Sequence, residues 1–233
     1  MPALEIAQAD ETTMRVLAKH KTRTAYIWTF LGRDADDKEI IAYQFSPTRS
    51  GETPVRVLGD SKGKCVVDAF SGYNKVTTPA GRLRCGCIAH ARRKFFEALP
   101  KAEDAARTAL DFILEIYKVE EEAKQRGIAQ VCAQPVAHAH RVPRRSSSAS
   151  GQQRFRGRAP RCGSGTKEFL FVGHDKAGEN LAGLYSLVAT CEANGVNPAA
   201  YLTDVLVRLQ THPASRIDEL LPHHWRPPPR NSS

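Results

Sequence analysis

The stretch TAYIWTFL, residues 24–31, sets Tyr26, Trp28 and Phe30 on one side of an extended chain and Ala25, Ile27 and Leu31 on the other, because successive strand residues point to opposite faces. Apolar side chains on both sides describe a central strand that is covered twice. Upstream, residues 6–17 read as its partner across a polar loop at 19–23; downstream, residues 33–39 turn the chain into a third strand at 40–45. Three sequential strands with short polar turns make an antiparallel meander. The next segment, SPTRSGETPVRVLGD (46–60), places Gly51 and Pro54 in a turn before a short helix, after which Cys65, Val66 and Val67 form a brief strand closed by Asp68. A helix between two strands predicts a crossover, and with it an α/β fold on a mixed sheet with flanking helices.

Farther along, the period changes. From Ala89 the pattern is helical, with Ala106, Leu110, Ile113, Leu114 and Tyr117 on one stripe and Gly127 as a stop. Residues 129–165 contain no Leu, no Ile and one Phe, too little apolar surface to offset the entropy of ordering. KEFLFV (167–172) reads as a short strand. Two helices follow, 177–193 ended by Gly195, and 198–210 with Asn197 as N-cap and Pro198 in the first turn. Leu181, Leu184, Val188 and Cys191 of the first would meet Leu202, Val205, Leu206 and Leu209 of the second in a C-terminal helical hairpin. The tail PHHWRPPPRNSS is proline-rich and expected to be loose.

The chain has 233 residues, 41% hydrophobic and 25% charged, a composition that excludes wholesale disorder. It has no apolar run of about 18 residues and its N-terminus lacks the basic-then-apolar order of a signal peptide, so the expectation is a cytoplasmic protein without membrane contact. In that compartment its six cysteines stay reduced. The formal charge is +9, but seven arginines, with no lysine or acid among them, fall between Ala129 and Gly165. The basicity therefore belongs mainly to one peculiar stretch.

Asp10 lies inside the first strand and Asp68 closes the fourth, where a charge among apolar neighbours needs a compensating partner. On adjacent strands the two carboxylates would stand within about 5 Å and suit a hard divalent cation; each is equally readable as a turn former or cap. Cys85, Cys87 and His90 form C-x-C-x-x-H, but no second cluster completes four zinc ligands, and buried thiols beside a surface histidine are the plainer reading. Arg92, Arg93 and Lys94 follow as phosphate contacts or a solvated helix face, and Arg49 lies in SPTRSG, a segment composed like an anion-binding turn.

Five phrases carry a resemblance: ADETTMRVL (9–17), YQFSPTRSGETP (43–54), DAFSGYN (68–74), CIAHARRKFFEA (87–98) and FLFVGHDKAGENLAGLYSLVATCEANGVNPAAYLTDVL (169–206). They are similar to transposases of the insertion-sequence sixty-six (IS66) family. The resemblance implies a partial RNase H-like core with a D-D-E triad, in which acidic residues hold Mg²⁺ or Mn²⁺ and drive DNA cleavage and joining. By position Asp10 and Asp68 are its first two acids, each catalytic and metal-binding; His90 is a helper near the scissile phosphate, and Arg49, Arg92, Arg93 and Lys94 contact DNA. Residues 1–128 would be the partial core, 129–165 a linker and 166–233 the C-terminal helical segment.

The third acid should precede FLFVG in a phrase like D-N-N-x-x-E-R, which is absent. Residues 151–157 read Gly-Gln-Gln-Arg-Phe-Arg-Gly. One permitted codon set, GGA CAA CAA CGC TTC CGA GGG, moved forward by one base becomes GAC AAC AAC GCT TCC GAG, which encodes Asp-Asn-Asn-Ala-Ser-Glu. A frameshift near Ile128 with a compensating one near Gly165 would replace the helix and its glutamate by an arginine- and serine-rich scramble. The long N-terminal part of complete members, with its zinc module, has no counterpart here. The expectation is thus a transposase by family whose copy is catalytically defective. The other readings are a non-enzymatic fragment that binds DNA or intact transposase subunits, and a general RNase H-like nuclease.

Overall fold

A computed structural model describes residues 4–19, 21–127 and 172–227. The meander is present as β1 (Ile6–Ala18), β2 (Lys21–Arg33) and β3 (Glu39–Ser46), antiparallel with Asp10 opposite Thr29 and Trp28 opposite Gln44. The expected loop at 19–23 is shorter than read, because Lys21, Thr22 and Arg23 already pair with Ala18, Leu17 and Val16. Helix α1 (Glu52–Leu58) leads to β4 (Gly63–Val67), followed by a 3-10 turn (Ser71–Tyr73) and β5 (Arg82–Gly86). The strands order as β3-β2-β1-β4-β5, so the crossover carries the chain from an edge strand to the far side of β1. β5 escaped the sequence reading because RLRCG shows no apolar alternation; Arg82 is nonetheless 1% exposed, donating to Ser61 Oγ at 2.9 Å and the Lys64 carbonyl at 3.0 Å.

The described residues form two compact units. One is drawn from 4–65, 71–83 and 172–227, the other from 66–70 and 84–127. In the second, the helical region expected from Ala89 is two helices, α2 (Ile88–Ala98) and α3 (Glu103–Gln125), packed on each other. Ala106, Ile113 and Tyr117 are buried on α3 as expected, whereas Leu114 is exposed and Glu120 takes a place in the buried stripe.

In the first unit the central strand is covered on both faces. Ala25 and Ile27 join Val16, Ile41, Tyr43 and Phe45 in a core closed by α4 (Asp175–Ala193); on the opposite face Trp28 meets Tyr73 edge-on, centroids 5.7 Å apart. α4 reaches the sheet through small residues: a Cβ at Gly178 would stand 2.5 Å from the Phe45 ring, and Ala182 and Ala189 are buried while Leu184 is exposed. Leu184, expected to face the second helix, is exposed, and the face of α4 turned to the sheet runs through Gly178, Ala182 and Ala189, because close approach to β3 requires small side chains.

The same approach lets α4 satisfy the outer edge of β3. Ser186 Oγ accepts from Tyr43 N–H at 2.8 Å, Thr190 Oγ1 accepts from Ile41 N–H at 3.1 Å and donates to its carbonyl at 3.0 Å, and the Asn194 amide bonds both backbone groups of Glu39, at 3.1 and 2.7 Å. Val172 pairs in parallel with Val16; the rest of the expected 167–172 strand, and all of 129–165, lie outside the described residues.

α5 (Pro198–Arg208) begins as read, Asn197 accepting from the N–H groups of Ala199 and Ala200. Gly195, at φ +70, reverses the chain, and Cys191 and Leu187 of α4 pack with Tyr201, Val205 and Leu202 of α5 as a hairpin. Leu206 and Leu209 are exposed, contrary to their expected place on the contact stripe. The tail is also not loose throughout: Pro222, His223 and Trp225 are buried, Trp225 donating to Asp204 at 2.7 Å and standing edge-on to Tyr201. Among the described residues, no helix is long and apolar enough to cross a membrane.

Replacing a buried hydroxyl that pairs at both ends by a methyl of like shape leaves buried backbone groups unsatisfied, at a cost of about 1–3 kcal/mol each. Thr190→Val is expected to destabilise the chain in urea unfolding by at least about 1 kcal/mol, against less than about 0.5 kcal/mol for Leu206→Ala at an exposed site. Equal midpoints for the two variants would show that the α4 contact on β3 contributes no stability.

Candidate active site

Asp10 and Glu11 are neighbours on β1 and therefore face opposite ways. Asp10 is exposed on the face that carries Met14 and Val16, its Oδ1 accepting the Glu11 N–H at 3.0 Å. Glu11 faces the aromatic side, opposite Trp28 in register, with a side chain only 3% exposed. Its Oε1 receives Arg49 Nε at 2.7 Å and also Arg49 Nη2, and its Oε2 accepts the Tyr73 hydroxyl at 2.8 Å. Such a buried carboxylate is tolerable only because a guanidinium and a hydroxyl saturate it.

This contact binds three separated pieces of sequence: the ADET strand, the SPTRSG turn and the SGYN turn. Their backbones touch as well, since a Cβ at Gly51 would lie 2.5 Å from the Gly72 carbonyl oxygen. Only glycine fits there. Arg49, assigned to DNA on sequence grounds, thus spends its guanidinium on Glu11 while keeping 42% of its side chain exposed. Glu11 was missed in the sequence reading; the available signal was its place in the alternation, one residue from Asp10 and on the Trp28 side.

The second unit holds Asp68, just past the end of β4. Its Oδ1 accepts the Phe70 N–H at 2.9 Å, and Arg84 Nη2 grips the Asp68 and Phe70 carbonyls at 2.6 and 2.9 Å, fixing the turn that presents the carboxylate. Cys87, at the head of α2, donates its N–H to the Val67 carbonyl at 3.0 Å, and His90 Nδ1 lies 2.9 Å from Cys87 Sγ. The end of β4, next to Asp68, and the head of α2, which bears Cys87 and His90, are therefore joined by a backbone bond. Cys87 is buried and Cys85 half-buried, so the two thiols are not a buried pair.

Arg93 and Lys94 are exposed and share Glu97, at 3.0 and 2.9 Å; hydrogen bonds first from Lys94 and then from Arg93 hold the Glu97 carboxyl below its ordinary pKa. Arg92 is half-buried on the same helix. Exposed pairs of this kind contribute little and open readily to another anion. Asp10 is exposed and Asp68 half-buried, so solvent reaches both carboxylates, which belong to different compact units.

Tyr73→Phe removes one donor to a buried charge and is expected to cost about 1.5–3 kcal/mol in denaturant unfolding; a change below about 0.5 kcal/mol would mean that Glu11 does not depend on the hydroxyl.

Comparison with known proteins places these phrases. A model described as Transposase IS66 family matches residues 3–159, and one described as IS66 C-terminal element matches 186–223. Among curated relatives, the uncharacterized protein y4hP of Sinorhizobium fredii (strain NBRC 101917 / NGR234) is 26% identical over 286 residues, covering 96% of this chain and 51% of its own. The uncharacterized protein y4qI of the same strain is 26% identical over 272 residues, covering 94% and 50%. The chain spans about half the length of the curated relatives it matches. With a family match that takes in β1 to α3 and a second that takes in the C-terminal part of α4 and all of α5, the chain belongs to the Transposase IS66 family.

Proposed function

We propose that this chain is a DNA transposase polypeptide of an insertion sequence whose metal-dependent strand-cleavage centre is incomplete. The observation that carries the reading is the family match over residues 3–159, which contains both aspartate phrases. The sheet order β3-β2-β1-β4-β5, with the meander first and the crossover strand beside β1, supports an RNase H-like core, and the reading divides the chain into a partial core at 1–128, a linker at 129–165 and a C-terminal helical segment at 166–233.

In this reading Asp10 and Asp68 would hold Mg²⁺ or Mn²⁺, which in a complete centre would supply Lewis-acid activation of the attacking oxygen and charge relief at the phosphodiester. Arg84 positions Asp68 by fixing its backbone. Glu11, buried beside Asp10, keeps β1 and the SPTRSG turn in register. His90 stands at the head of α2 as a polar group able to hold or pass a proton near the phosphate. Arg92, Arg93 and Lys94 offer positive charge to the DNA backbone, a sequence-independent contact, and Arg49, paired with Glu11, adds only the exposed part of its side chain.

The third carboxylate is missing from the sequence where the family pattern calls for it, and in this reading the arginine-rich 129–165 segment is the out-of-frame product of a message read out of phase. A two-metal site that loses one ligand loses both charge balance and positioning, effects each worth several kcal/mol in the transition state. DNA affinity does not require that ligand. The polypeptide therefore acts, in the cytoplasm, as a binder of DNA or of intact transposase subunits rather than as a nuclease.

On DNA carrying the ends of the element, with Mg²⁺ or Mn²⁺, the expected outcome is no cleavage and no joining, together with DNA binding that weakens steeply between low and moderate salt. Cleavage that disappears in Asp68→Ala would overturn the assignment of a defective centre; salt-insensitive or absent binding would overturn the assignment of a DNA partner.

A further inference from the structure

The turn joining β2 to β3 is built on Asp34. Its Oδ1 accepts the N–H groups of Asp36 and Lys38 at 2.9 and 2.8 Å, and its own N–H donates to the Lys38 carbonyl at 3.0 Å. One oxygen is thereby saturated. The other, Oδ2, is buried without a hydrogen-bond partner. Far along the chain, His223 is 8% exposed and its Nδ1 is likewise buried without a partner. Buried polar atoms are seldom left so, and each such orphan calls for an explanation such as an ion.

These orphans belong to one cluster. A ligand atom from each of Asp34, His223 and His224 lies within 4.8 Å of the other two, and the two imidazole centroids are 4.2 Å apart. His224 Nδ1 is 3.1 Å from the Asp218 carbonyl, so an N–H there donates to it and directs Nε2 outward. A backbone carbonyl that fixes the tautomer and orientation of an imidazole in this way is the usual outer support of a metal-bound histidine. The turn that carries both rings is itself anchored: Trp225 donates to Asp204, Tyr201 donates to the Leu220 carbonyl at 2.8 Å, and the N–H groups of His224 and Trp225 bond the Leu221 carbonyl at 3.0 and 2.9 Å. Burial, and then the adjacent His224 ring, lower the His223 pKa, which favours the neutral form that ligates.

We propose that Asp34, His223 and His224 form a binding site for one borderline divalent transition-metal ion of the zinc class, which clips the C-terminal turn to the β2–β3 hairpin. Two imidazoles and a carboxylate suit zinc, cobalt or nickel better than magnesium, and three protein ligands leave a fourth position for water. Ligand atoms around a tetrahedral ion with bonds of about 2 Å stand about 3.3 Å apart, within reach of a small side-chain rotation from the observed spacing. The site is independent of Asp10 and Asp68 and of any DNA chemistry.

The test uses the untagged full chain, stripped with chelator and titrated with Co²⁺ and Zn²⁺. The expected result is one equivalent of Co²⁺ with visible ligand-field bands and no thiolate-to-cobalt charge-transfer band, displaced by Zn²⁺ and not by Mg²⁺, and a Zn²⁺-dependent rise in melting temperature. Asp34→Asn keeps an Oδ1 acceptor for the turn, and His224→Ala alters an exposed position, so both variants keep the fold. Each should weaken Co²⁺ binding by more than about tenfold, the loss that even outer partners of a metal site bring. Absence of Co²⁺ binding, an affinity in either variant unchanged from that of the unsubstituted chain, or a charge-transfer band showing that cysteines hold the ion would overturn the proposal, leaving a plain Asp34–His223 contact.

Discussion

The first unit depends on a ladder of polar side chains from one helix along one strand edge. Ser186, Thr190 and Asn194 recur every four residues on α4, and Tyr43, Ile41 and Glu39 recur every two on β3. Four helical residues rise about 6 Å and two strand residues about 6.8 Å, so the two repeats stay in step for three rungs. An open edge strand invites pairing with another chain; here its backbone groups are taken by hydroxyls and an amide. The ladder also joins segments about 150 positions apart in sequence, so the C-terminal element packs with the opening meander whatever lies between them.

The phrases that carry the family resemblance divide into those that hold the sheet and those that carry charge to its surface. Glu11, Arg49, Tyr73, Gly51 and Gly72 interlock β1 with two turns, and Ser186, Thr190 and Asn194 interlock α4 with β3. Asp10 is exposed on β1, and Asp68 is half-buried just past the end of β4.

Much of the fold was legible because it rests on periodicity and punctuation. The alternation in TAYIWTFL yields a strand buried on both faces, and Asn197-Pro198 yields a helix start, as observed. What escaped was placed by polar contacts, to which hydrophobic patterns are blind. β5 carries two arginines that donate to the neutral oxygens of Ser61, Lys64, Asp68 and Phe70; α4 sets Ser186, Thr190 and Asn194 against the edge of β3; and residues 222–225 are anchored by Trp225, which donates to Asp204. At the candidate site, the sequence singled out Asp10, Asp68 and His90, but Glu11 was hidden beside Asp10, and Arg84 revealed its grip on the Asp68 turn only in three dimensions.

The central claim is that an intact transposase frame once supplied a third acid where residues 129–165 now stand. Determining the nucleotide sequence of codons 125–170 tests it most directly. The account predicts that the bases encoding Gly151 to Gly157, read one position downstream, spell Asp-Asn-Asn, then two further residues and Glu, with the frame restored near Gly165. Codons that give no acidic phrase in that frame would contradict it.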